Sequence, residues 1–225
     1  MFSVNNAPYN GFTLSNPPTS YTFDGAASYY FVSSGTKIRA HVGNGYRVPS
    51  LYERFGTFYS SFSQSFTALG DPNLEPERSI AFDGGIDQTF AENRVRLSAT
   101  YFYTKLLDTI GYANVAPAIG TTTRPFGGYF NTNGGISRGG EFSGDFKVGD
   151  ATSIFSSYTF TNSDQRETQV AGSGILQTLG IADHQFTLVA TQRFGDRLSV
   201  NFDFLATSSY LAPIFSNSIF STRIY

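Results

Sequence analysis

A two-residue alternation runs through most of this chain. From Lys37 onward, Ile38, Ala40 and Val42 stand against Lys37, Arg39 and His41; from Ser79, Ile80, Phe82, Gly84 and Ile86 stand against Ser79, Asp83 and Asp87. Val95, Leu97, Ala99, Tyr101 and Tyr103 alternate with Arg94, Arg96, Ser98, Thr100 and Thr104. Phe142, Gly144, Phe146 and Val148 alternate with Glu141, Ser143, Asp145 and Lys147. Phe186, Leu188 and Ala190 oppose Gln185, Thr187 and Thr191, and Leu198, Val200, Phe202 and Phe204 oppose Arg197, Ser199, Asn201 and Asp203. Tyr21 to Phe31 reads the same way. Ile154 to Phe160 is weaker, because Phe155 falls on the polar side, and Ser218 to Tyr225 is patterned poorly. Successive strand side chains point to opposite faces. Each run therefore predicts a strand with one apolar and one polar face, the polar face of the best strands carrying full charges.

Length and connections narrow the class. The runs last about 9–13 residues, where soluble strands average 5–6 and a tilted membrane-crossing strand needs 9–11. Short turns are expected at Ser34-Gly35, Glu92-Asn93, Gly149-Asp150 and Gly195-Asp196, and long connections at 44–77, 107–128, 163–181 and 209–217. Short turns alternating with long loops are the layout of an outer-membrane barrel. The fold expected is all-β: an antiparallel transmembrane β-barrel portion of about 8–9 long strands, with short periplasmic turns and long extracellular loops.

Composition supports that reading by exclusion. The 225 residues include 15 Lys+Arg, 17 Asp+Glu, 23 Phe, 14 Tyr and no Cys or Trp. Without cysteine there is no disulfide scaffold or thiol chemistry. A formal net charge of −2 argues against nucleic acid as a partner. The aromatic content is too high for disorder, and no apolar run is long enough for a membrane-spanning helix. The opening MFSVNNAPYNGF holds no signal-peptide pattern.

Two segments carry a family resemblance. GYRVPSLYE (Gly45 to Glu53) lies where a strand opens into a loop, and GDPNLEPERS (Gly70 to Ser79) where that loop returns. A weaker third, FNTNGGISRGGEFSGDF (Phe130 to Phe146), brings a loop back through Gly139, Gly140 and Glu141. In this order and spacing they resemble the barrel of TonB-dependent outer-membrane receptors, over roughly residues 20–225. The resemblance implies a share of a 22-stranded barrel. It also implies a bacterial outer-membrane location and, as partners, outer-membrane lipid, the receptor's own plug domain, TonB and a bulky nutrient ligand. Residues 1–225 are expected to be partial barrel, with plug and TonB box absent. Ser221 and Arg223 would share the lipid-facing side of Tyr225, which adds to the expectation of a truncated chain. The function implied is active uptake of a scarce ferric siderophore, cobalamin or similar complex.

The motif residues Gly45, Arg47, Pro49, Glu53, Gly70, Pro72, Leu74, Pro76, Glu77, Gly140 and Glu141 read as mainly structural: prolines end strands, and Asp71-Pro72-Asn73 is turn chemistry. Glu77 and Arg78 are expected to pair with luminal or plug charges. Ligand contact is expected from aromatics and cations of the loops: Tyr52, Arg54, Phe55, Phe58, Tyr59, Phe62, Phe66, Tyr112 and Arg124. Large, rigid, amphipathic rings suit a bulky ligand. Tyr21, Tyr29, Phe31, Tyr101, Tyr103, Tyr158 and Phe204 suit an interfacial girdle. No enzyme, cofactor or metal is expected. His41 and His184 read as polar-face residues, Asp183-His184 is too sparse for a metal, and Gly43-Asn44-Gly45 is no dinucleotide loop. The rival readings are a complete small outer-membrane barrel acting as a passive pore, adhesin or lipid-modifying enzyme, and a soluble β-sandwich.

Overall fold

The computed structural model describes residues 2–3, 7–14, 19–165, 181–215 and 219–224. In chain order the elements are β1 (Phe2–Ser3), β2 (Thr13–Leu14), β3 (Asp24–Phe31), β4 (Thr36–Arg47), α1 (Leu51–Phe55), β5 (Thr57–Ser60) and β6 (Ser65–Ala68). They continue with β7 (Glu77–Phe90), β8 (Val95–Ala113), β9 (Gly128–Asn133), β10 (Gly135–Val148), β11 (Thr152–Gln165), β12 (His184–Phe194), β13 (Leu198–Thr207), β14 (Tyr210–Phe215) and β15 (Ile219–Ile224). Nine of them form one antiparallel sheet in the order β13-β12-β11-β10-β8-β7-β4-β3, with β9 extending the β8 edge beside β10. Every long strand thus pairs with its neighbour in sequence. Among the described strands the sheet is not closed.

The register separates two faces. One row across the sheet reads Tyr29, Ile38, Ile86, Ala99, Phe142, Tyr158, Phe186, Ala206. The adjacent row reads Ser28, Arg39, Gly85, Thr100, Glu141, Thr159, Gln185, Thr207. The apolar face is uncovered: Phe82 is 46 % and Phe142 56 % exposed. A wall of aromatic side chains this wide has no stable place in water but matches the lipid-facing band of a membrane barrel. Among the described residues no helix is long and apolar enough to cross a membrane.

On the charged face Arg39 sits between Asp83 (3.9 Å) and Asp87 (3.4 Å), and His41 between Asp24 (2.6 Å) and Asp83 (3.0 Å). Phe155 does fall on this face, between Asp145 and Val189.

The short turns fall where the sequence places them. Three carry a glycine with positive φ: Gly35 (68°), Gly149 (63°) and Gly195 (61°). The fourth runs Ala91, Glu92 and Asn93 through the left-handed region instead, at φ 49°, 53° and 67°. Arg94 belongs to this turn rather than to the polar wall, and reaches Asp150 of the next turn at 3.6 Å.

The long connections differ from expectation. Strand β8 runs on to Ala113, past the expected start of its loop at 107, while β9 begins at Gly128, where that loop was expected to end. The first loop contains α1 and the β5–β6 hairpin. The strand expected from Tyr21 begins at Asp24; Asn44 holds the preceding segment through the amide of Phe23 (2.6 Å) and the carbonyl of Tyr21 (2.8 Å). The loop expected at 209–217 contains β14, paired with β15; its apolar YLAPIF sequence takes up strand pairing after a two-residue break. The middle of the 163–181 loop, Ser218, Tyr225 and the side chains of Ser221 and Arg223 lie outside the described residues.

What core exists lies at the loop end. Tyr9, Ala68 and Ile119 are buried together, with Phe12 and Phe55 packed against them. The long wall needs no core of its own, since lipid would cover it.

Candidate functional site

The first loop is built from its two motifs. Ser50 caps α1: its hydroxyl accepts from the Glu53 amide (3.2 Å) while Glu53 accepts from the Ser50 amide (2.7 Å). This is a capping box. The same Glu53 carboxylate takes a two-pronged bond from Arg47, Nη1 to Oε2 and Nη2 to Oε1, each 3.0 Å. Arg47 Nε reaches Glu77 at 2.5 Å, and the other Glu77 oxygen accepts from the Ile110 amide (2.9 Å). One guanidinium therefore ties the end of β4, helix α1, the start of β7 and the upper part of β8. Arg47 holds the Glu53 carboxyl down at about 2.

The return motif packs against this knot. A Cβ on Gly70 would meet the Arg54 carbonyl and the Phe55 amide within 2.6 Å, so only glycine lets the loop close on α1. The amides of Leu69 and Gly70 bond the Gly56 carbonyl (2.9 and 3.0 Å), and the Tyr9 hydroxyl donates to the same carbonyl (2.6 Å). Asp71 forms a local turn with the Asn73 amide (2.9 Å). Leu74 is buried, Pro72 supplies its carbonyl to Arg54 (3.2 and 2.7 Å), and Pro49 and Pro76 flank a cleft of about 340 Å³ beside Arg54 and Arg78. Glu75 and Asn131 exchange two bonds (2.8 and 2.9 Å).

Arg124 is the strut of the second loop. Its side chain is 0 % exposed. It donates to the carbonyls of Pro117 (2.6 Å), Tyr129 (2.5 Å) and Gly70 (3.5 Å), with Asp71 at 4.0 Å. Burial pushes its pKa below the ordinary guanidinium value, against the pull of Asp71. Its Nη2 is buried without a hydrogen-bond partner among the described residues. In this conformation Arg124 braces both loops and offers nothing to solvent.

The other loop residues divide by exposure. Phe55 packs edge-on against Tyr9 (5.6 Å) under Arg54 (5.3 Å). Tyr52 and Tyr112 both meet Tyr129 edge-on, at 6.0 and 5.1 Å, and form a half-exposed trio fixed by the Tyr112 hydroxyl on the Phe126 carbonyl (2.8 Å). Burial raises the pKa of Tyr112 and Tyr129 above the ordinary phenol value. Phe58 leans on Phe126 (4.9 Å) and Tyr59 on Phe66 (5.1 Å), while Phe62 at the hairpin tip is 100 % exposed. Sequence reasoning missed Tyr129, Phe126 and the anchor Tyr9; the aromatic pair in GGYF was the available signal for Tyr129.

Other expected site residues lie on the wall. Gly45 and Arg47 end β4; Glu141 stands on the charged face between Thr100 and Thr159, and Gly140 on the apolar face between Tyr101 and Phe160. Glu77 pairs with Arg47. Arg78 takes the opposite face, pairing with Asp108 at 2.6 Å where a bulge reorients β8. His184 is a correction: it registers against Phe160, on the apolar face, because it stands two residues before Phe186.

A family model described as TonB dependent receptor-like, beta-barrel, matches residues 2–219. The chain belongs to the TonB-dependent receptor β-barrel family. That family is one of bacterial outer-membrane transport receptors that bind ligands such as siderophores and interact with TonB; it is not an enzyme class. Solved structures share the fold. The siderophore receptor PirA from Acinetobacter baumannii superposes with a TM-score of 0.64 at 18 % identity, over 90 % of this chain and 30 % of PirA. A variant of the ferric enterobactin receptor PfeA from Pseudomonas aeruginosa, in complex with enterobactin, gives 0.66 at 14 %, over 86 % and 28 %. The copper transporter OprC gives 0.60 at 14 %, over 82 % and 25 %. The chain thus spans about a quarter to a third of the length of these proteins.

Proposed function

We propose that this chain forms part of the wall and two ligand-facing loops of an outer-membrane receptor. That receptor takes up a bulky, scarce nutrient, of the ferric siderophore or cobalamin kind, with energy from TonB. The observation that carries this is the Tyr52–Tyr112–Tyr129 trio: rings partly exposed, with Tyr112 held by its hydroxyl on the Phe126 carbonyl and the Tyr129 carbonyl braced by Arg124. Such preorganised aromatics bind a large, partly apolar ligand at low entropic cost. Phe58, Tyr59, Phe62 and Phe66 extend the same surface toward solvent. In this reading the charged face, with Arg39, His41, Asp83 and Asp87, looks onto a plug domain. The apolar face meets outer-membrane lipid.

The test is uptake by cells carrying the complete gene, with radiolabelled ferric siderophores and cobalamin as a panel. Transport of one class, abolished by deletion of TonB, supports the reading. Transport that persists without TonB makes the protein a passive pore and overturns it.

A further inference from the structure

The apolar wall carries two cations at one level. Lys105 lies ten residues along β8 from its short turn, and Arg138 ten residues along β10 from its own. At about 3.3 Å per residue and a tilt near 45°, both stand about 23 Å above the turns, at the edge of the apolar band. Their facing follows from register: Lys105 pairs with Ile80 and Ile136, and Arg138 with Tyr103 and Asn162. They are diagonal neighbours across β8 and β10, roughly 7–8 Å apart at the backbone.

Neither charge meets a carboxylate in an ion pair among the described residues. Arg138 is exposed and makes one long bond, Nε to Asn162 Oδ1 at 3.4 Å. Lys105 makes no ion pair among the described residues. Asp164, opposite Ile136 on the same face, forms no ion pair with either. The nearby Arg78 is spent on Asp108. Directly below lie apolar rings, with Phe82 and Tyr103 stacked at 5.1 Å.

We infer that Lys105 and Arg138 bind the phosphate of an anionic lipid headgroup, with the acyl chains lying on the rings beneath. Two cations side by side at the membrane interface, with no ion-pair partner among the described residues, call for an external anion. Charge complementarity selects phosphate, for which a guanidinium and an ammonium are suited donors. The apolar surface directly below selects a lipid over free phosphate. The inference rests on the membrane placement proposed above.

The test is native mass spectrometry of the polypeptide expressed from its complete gene and extracted in neutral detergent. Phosphatidic acid, phosphatidylcholine and inorganic phosphate are added in turn. Phosphatidic acid adducts should survive conditions that strip phosphatidylcholine. The double change Lys105→Gln with Arg138→Gln should lower their retention about fivefold or more, while Lys147→Gln, on the charged face, should not. Equal retention of the two lipids by the unaltered protein overturns the inference, as does unchanged retention in the double variant or equal binding of inorganic phosphate. If the double variant does not fold, the headgroup preference of the unaltered protein still decides. Failure to carry any lipid, of either kind, would instead count against the membrane placement itself.

Discussion

Arg47 and Glu53 meet fork to fork, six residues apart in sequence, and the same guanidinium reaches Glu77 across the base of the loop. Replacing Arg47 with Lys keeps the charge and loses the fork. The expected cost is about 1–2 kcal/mol of local stability. Arg47→Ala should cost more, because it leaves two carboxylates facing each other. Limited proteolysis of residues 48–76 in intact membranes reads both: cleavage should quicken in the order unaltered, Lys, Ala.

The same knot sets a pH response. The folded Glu53 carboxyl sits at about 2, below its ordinary value of 4.5. A depressed carboxyl stabilises the fold fully above its unfolded value, and that contribution fades as pH falls from about 4.5 toward 2. Loop protection from hydrogen exchange should therefore be flat from pH 7 to 5 and decline below. In Glu53→Gln the decline attributable to this carboxyl should be missing.

Arg124 binds carbonyls drawn from both loops and from β9. Arg124→Met keeps the length of the side chain and abandons these carbonyls, at about 2–4 kcal/mol. Hydrogen exchange should quicken at Tyr129 and Gly70 together. Ligand affinity should fall too, although the residue is buried, because the tyrosine trio loses its frame.

The exposed aromatics separate packing from capture. Phe62→Ser should leave stability unchanged within about 0.5 kcal/mol, since the ring is fully exposed. Tyr52→Ala and Tyr112→Ala should each weaken ligand binding roughly tenfold. Equilibrium binding to cells expressing each variant measures this, and undiminished binding in both tyrosine variants would remove the trio from the ligand site.

The turn at Ala91 to Asn93 should be improvable. Ala91→Gly relieves a left-handed residue at φ 49°, where an L side chain costs about 1–2 kcal/mol. Part of that gain is lost to chain entropy. A net rise of about 0.5–1 kcal/mol should appear in urea unfolding of the detergent-solubilised protein.

The wall was legible because its information is local. Ile38 and Arg39 declare their faces by parity alone, and glycines at 35, 149 and 195 mark the turns. His184 obeyed the same parity, two residues ahead of Phe186, yet its polarity suggested the wrong face. The loop was less legible. Ser50 and Glu53 carried a capping-box signature for α1, but nothing in the sequence links Arg124 to the Gly70 carbonyl, or Tyr9 to Gly56. Those contacts join segments dozens of residues apart. They are fixed by tertiary closure rather than by period.

Neighbour-in-sequence pairing divides the chain into regions of unequal tolerance. The register of each hairpin is set at its short turn, and a single inserted residue there would exchange the two faces of the strand beyond it. An insertion of any length near the hairpin tip at Phe62 leaves every pairing in the wall untouched. Loop length and composition are thus free to drift over evolutionary time while the scaffold stays constant. The loops can in this way be exchanged without the wall being rebuilt.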